Sequence, residues 1–114
     1  MILAQLIDYL NNHLDVFVGM EAPEQTSGYV LIDQTGSTNR NHITTATVTV
    51  QSYGASLYEA YTLNRTVQGV MLSFVEEPEV SSVKLETDYN FTNTATKQYR
   101  WQAVYQITHY LGGN

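Results

Sequence analysis

The chain has no cysteine, which excludes disulfides, thiol nucleophiles and thiolate metal sites together and agrees with a reducing compartment. Cations are scarce: five Lys and Arg stand against eleven Asp and Glu, for a net charge of −6. Arg40, Arg65, Lys84, Lys97 and Arg100 are scattered along the chain. Gripping nucleic acid or an anionic membrane takes clustered Lys and Arg, so neither specific nucleic-acid binding nor membrane association is expected. No apolar run approaches the roughly 20 residues that span a bilayer, and Met1-Ile2-Leu3 lacks the basic start of a secretion signal. The expectation is a soluble cytosolic protein. Only 14% of residues are charged, yet there are 9 tyrosines among the 114 residues and 14 threonines. Much of the surface is therefore neutral polar or aromatic, a composition suited to contact with other proteins. Val, Ile, Leu and Phe number 29, enough to build a core despite the net charge. The length predicts one domain, 1–114, that keeps about 6,300 Å² exposed of an unfolded total near 18,700 Å².

Leu3, Leu6, Ile7, Leu10 and Leu14 lie on one helical stripe, which predicts an amphipathic helix over 2–14. Val16-Phe17-Val18 reads as a short strand, and Glu21 to Gly28 as a loop. Tyr29-Val30-Leu31-Ile32 is apolar at every position, predicting a strand covered on both sides and ended by a polar loop, Gly36 to Asn41. From His42 to Tyr53, Ala46, Val48 and Val50 alternate with Thr45, Thr47, Thr49 and Gln51, the pattern of a half-buried strand. Ser56 and Glu59 form a capping box opening a helix over 56–75, which Glu77-Pro78 ends. Val83, Leu85, Tyr89 and Phe91 then alternate with polar residues, as do Tyr99, Trp101, Ala103, Tyr105 and Ile107. These two runs predict a hairpin across Thr92–Lys97. Gly112-Gly113-Asn114 reads as a frayed end. The predicted class is α+β: a mainly antiparallel sheet of about five strands with two helices on one face, in the order α-β-β-β-α-β-β. Leu6, Leu10, Val67 and Phe74 should pack on Trp101 and Tyr105.

Chemistry-bearing patterns are sparse. His13, His42 and His109 have no ligand spacing, and each has an ordinary structural explanation. Glu76, Glu77 and Glu79 around Pro78 read as a solvated turn, and the dispersed glycines make no phosphate cradle. No nucleophile elbow is present, so no catalytic residue, cofactor or metal is expected. The aromatics Tyr89, Phe91, Tyr99, Trp101 and Tyr105 read as core; the alternative is that they line a pocket of a small ligand-binding or enzymatic domain. The polar segments remain as candidate contacts: Gly36, Ser37, Thr38, Asn39, Arg40 and Asn41, and beyond them Asn93, Thr94, Thr96 and Lys97.

Taken together, the Leu-rich first helix, Pro23 in the first loop, Tyr29-Val30-Leu31-Ile32 running into Gly36, the Thr/Val segment His42 to Tyr53 and the Tyr58-Glu59-Ala60 helix have a familiar order. The chain resembles the minor capsid and tail-terminator proteins encoded among the structural genes of long-tailed bacteriophages and prophages, over nearly its whole length. The resemblance implies a non-enzymatic virion subunit, assembled in the bacterial host cytoplasm. It implies a ring, hexameric in the particle, at the head-proximal end of the tail, with the tail tube and the head connector as partners. It carries no catalytic residues.

Overall fold

The computed structural model describes residues 2–24 and 28–110; the predicted frayed end at 112–114 and part of the 21–28 loop lie outside them. Helix α1 (Ile2–His13) is followed by strands β1 (Phe17–Gly19), β2 (Tyr29–Arg40) and β3 (Ile43–Gly54). Helix α2 (Leu57–Ser73) and a 3₁₀ turn (Phe74–Glu76) then lead to β4 (Val80–Asn90) and β5 (Tyr99–Tyr110). The predicted order α-β-β-β-α-β-β is thus the observed one. The five strands form one sheet in the spatial order β1-β2-β3-β5-β4. It is mixed, because β1 pairs with β2 in parallel while every other pair is antiparallel.

Period-two alternation supplies the buried face. Val30 and Ile32 of β2, Ala46, Val48 and Val50 of β3, and Ala103, Tyr105 and Ile107 of β5 are all nearly inaccessible. Leu3, Leu6 and Leu10 of α1 and Val67, Met71 and Phe74 from α2 and its 3₁₀ extension complete the same apolar cluster. Both helices therefore cover one face of the sheet, as expected, although Trp101 stays half-buried beneath Tyr61, ring edge to ring face at 5.1 Å. Tyr9 ties the helices together through a 2.7 Å hydrogen bond between its hydroxyl and Ser73 Oγ. The exposed surface is 6600 Å², close to the value expected from chain length.

Of the capping box, the serine half forms: Ser56 Oγ accepts from the Glu59 amide at 3.1 Å. The first turn of α2 sits hard against the end of β3, where a Cβ on Gly54 would lie 2.6 Å from the Ala60 nitrogen.

Three sequence expectations are corrected. Gly36 to Asn41 is not a loop: β2 continues to Arg40, paired with β3 through Arg40↔Ile43, and the reversal is confined to Asn41 and His42. Both turn residues have positive φ, 53° and 67°, as a two-residue type I′ hairpin turn demands. The strand was hidden because its far half is polar and exposed on both faces, so no burial alternation marks it. Second, the Tyr29–Ile32 strand is not layered by helices on both sides; Leu31 on the outer face is only half-buried. Third, Tyr89 does not join Val83 and Leu85 on the core face. A bulge between Leu85 and Thr87 shifts the register, so Tyr89 pairs with Gln102 on the outer face while Asp88 turns inward opposite Ala103.

Candidate interaction surface

The residues singled out as contacts fall into two groups, and the structure places them at opposite ends of the sheet. The molecule measures 45 × 24 × 21 Å, and its long axis follows the 12-residue strands β2, β3 and β5. At one end Gly36, Ser37, Thr38, Asn39 and Arg40, with Asn41 in the turn, form with the start of β3 an exposed hairpin end, the arm, whose β3 strand stays paired with β5 through Ile43↔Tyr110. All six are exposed. Within the arm Thr44 Oγ1 donates to Asn39 Oδ1 at 2.6 Å, a cross-strand bond that holds the two strands in register.

At the other end Asn93, Thr94, Thr96 and Lys97 belong to a tight reversal closed by reciprocal backbone bonds between Asn93 and Gln98, both 3.1 Å. Asn93 Oδ1 accepts from the amides of Ala95 at 3.1 Å and Thr96 at 3.4 Å, and Lys97 takes the left-handed conformation at φ 55°. The turn borders a shallow cavity with the buried, stacked rings of Tyr29 and Tyr53, whose centroids are 4.5 Å apart. Burial, and then the neighbouring Tyr53, raise the Tyr29 phenol, against opposition from a hydrogen bond to Gln98 and the charge of Arg100. Arg100 anchors the corner: its guanidinium lies 4.6 Å from the Phe91 ring centroid, and Nε donates to the Phe91 carbonyl at 2.7 Å.

Between the two ends, no helix covers the outer face of the sheet among the described residues. Its Thr and Gln side chains pair across the strands: Thr45 with Thr108 at 3.2 Å, Thr47 to Gln106 Oε1 at 3.1 Å, and Gln106 to Glu86 at 2.9 Å. Gln51 donates to Gln102 at 2.6 Å, and Gln102 donates in turn to the Tyr89 hydroxyl. The side chains satisfy one another, so the face is polar yet fixed.

The five aromatics of the alternative reading do not share one site: Tyr105 is fully buried, Trp101 lies under α2, Tyr99 borders the cavity beside Tyr29 and Tyr53, and Tyr89 and Phe91 are exposed and pack edge to face with each other. A polar seam that sequence reasoning missed does cross the core. Asn64 on α2, fully buried, donates to Asp88 Oδ2 at 3.0 Å. The hydroxyls of Tyr105 and Ser52 and Trp101 Nε1 have no hydrogen-bond partner among the described residues. Burial, aided by the Asp88 charge, pushes the Tyr105 phenol far up, so it holds its proton at any physiological pH. Asn64 lies at helical spacing between Tyr61 and Val67, a position that sequence periodicity marks as inward, whereas the bulge beside Asp88 reverses its face.

The histidines are apart, and no group of three His, Asp or Glu side chains able to hold a metal ion occurs among the described residues. His13 stacks on Tyr9 at 4.1 Å, His42 occupies the arm's turn, and His109 faces the core opposite Val80. Glu76, Glu77 and Glu79 surround Pro78 in the turn before β4. No helix among the described residues is long and apolar enough to cross a membrane. No protein-family model matches the chain, and no curated protein shows significant similarity to it.

Proposed function

We propose that this protein is a non-enzymatic structural subunit of a long-tailed bacteriophage particle, a tail terminator or minor capsid protein. Its copies form a ring, six in the particle, at the head-proximal end of the tail, and the ring docks to the head connector. The observation that carries the reading is the edge strand of the arm: exposed on both faces from Thr35 to Arg40, it contributes nothing to the apolar core. Such a strand costs conformational entropy to hold in place, and contact with a neighbouring protein gives it a use. The element order and the Thr- and Tyr-rich surface support the same reading. So does the charge of −6, since a ring through which DNA passes gains from repelling the duplex. The reading places the protein in the virion. The test is electron microscopy of the purified protein, alone and with purified phage tail tubes. Rings capping one end of each tube are expected; uncapped tubes at saturating protein would overturn the proposal.

A further inference from the structure

The sheet has two long strand edges that nothing among the described residues pairs. On one side β1 covers β2 only from Tyr29 to Leu31, leaving Asp33 to Arg40 with one edge open. Asn11 meanwhile closes β1's own outer edge, donating to the Val18 carbonyl at 3.0 Å and accepting from the Val18 amide at 3.1 Å. On the other side β4 pairs with β5 alone. Unpaired edges of this length are templates for adding another strand.

The two edges complement each other. Because β2, β3, β5 and β4 alternate in direction, β4 runs antiparallel to β2. A second copy that continues the sheet beside β4 therefore presents its β2 in antiparallel orientation with its helices on the same side. Placing Asp33 opposite Lys84 joins opposite charges, both exposed and both on the outer face. Gln34 then meets Val83 on the helix-covered face. Next, the single bulge at Thr35 of β2 is offset by the single bulge at Ser81 of β4, so Gly36 meets Ser82 and Ser37 meets Val80, each pair sharing a face. Beyond Val80 β4 gives way to the Glu77-Pro78-Glu79 turn, so Arg40, at the arm's tip, comes beside the turn's acidic side chains. Shifting the register by two residues places Asp33 against Glu86 instead, a repulsive pair. Lys84 and Glu86 thus guard the β4 edge against uncharged strands while admitting one that carries an acid at the right position.

We propose that copies of this chain join head to tail through this pairing, the β2 edge of one adding to the β4 edge of the next in the Asp33–Lys84 register. The inference rests on the reading above only in taking the partner to be a second copy. The contact is heterologous, so it propagates from copy to copy until it closes.

The absence of native cysteine makes disulfide trapping clean. In a chain carrying both Asp33→Cys and Lys84→Cys, mild oxidation is expected to yield a ladder of covalent oligomers. A mixture of the two single variants should stop at dimers, each single variant alone should stay monomeric, and Asp33→Cys with Glu86→Cys should cross-link poorly. Dimers from one single variant alone would indicate a symmetric contact and overturn the proposal. A doubly substituted chain that stays monomeric on oxidation overturns it as well. If the unmodified protein still sediments as an oligomer or caps tubes, the ring reading survives that failure; if it does neither, both fall. A charge exchange supplies a second measurement. Asp33→Lys and Lys84→Asp should each weaken self-association about two- to five-fold, and the two together should restore it. Additive losses in the double variant would reject the register.

Discussion

His109 shows how one side chain can be set by its neighbours rather than by its sequence position. It lies half-buried on the core face of β5, and its Nε2 has no hydrogen-bond partner among the described residues. Burial pushes its imidazole below its ordinary value, against partial opposition from a backbone hydrogen bond at Tyr110 and the Glu79 carboxylate. The neutral ring is therefore favoured in the folded state. Its contribution to stability is complete above the unfolded value near 6.5 and is lost as the pH falls from there through the lower folded value. Urea titrations between pH 7 and pH 5 should show the unmodified chain losing more stability than His109→Gln. Parallel losses in the two proteins would show that His109 does not titrate with folding.

At the scale of elements, the close seat of α2 on β3 turns on Gly54. A methyl group there would meet backbone atoms, the Ala60 nitrogen at 2.6 Å and the Glu59 carbonyl carbon at 2.9 Å, so the helix start itself must move. The φ of Gly54 is not positive, which makes the effect steric. Gly54→Ala is expected to destabilise by about 1–3 kcal/mol in chemical denaturation, even after the smaller entropy gain from restricting the unfolded chain. A loss under about 0.5 kcal/mol would mean that α2 is seated more loosely. The same scale explains what sequence could reveal. Helices α1 and α2 and the core faces of β3 and β5 were legible, since burial of one face imposes a period on apolar residues. The bulges at Thr35, Ser81 and Glu86 were not, because a register shift is a relation between two strands and leaves no mark in one. The arm escaped notice for a related reason: its residues are polar on both faces, and Asn41-His42 lacks the glycine that usually announces a type I′ turn. The candidate contact residues were chosen for polarity and exposure, which the structure shares, whereas the strand geometry that gives Gly36 to Arg40 an edge to offer came only with the β3 pairing.

For the whole molecule, the tip of the arm lies outside the apolar core, and its separate role can be tested. Thr38 and Thr45 are directly paired across β2 and β3, two pairs from the Arg40–Ile43 pair that closes the native turn and therefore in the same hydrogen-bonding phase, so replacing Asn39 to Thr44 with Asn-Gly closes the hairpin at that pair with a favourable two-residue turn. None of the six residues removed belongs to the apolar core cluster. The largest losses are the exposed Ile43, the nearly buried Thr44, whose hydroxyl bonds only within the arm, and the pairing of these two with Tyr110 and His109 of β5, while Thr45 keeps its bond to Thr108. The shortened chain should therefore unfold cooperatively, with stability within about 2 kcal/mol of the parent. It should nevertheless fail to cap tail tubes, because the open edge of β2 is cut to Asp33–Thr38 and Arg40 is gone. In a complementation assay infectious particles should fall at least ten-fold, as a roughly 1.4 kcal/mol weakening at each of several ring contacts would already require. A folded variant that completes particles at the parental level would remove the arm from assembly.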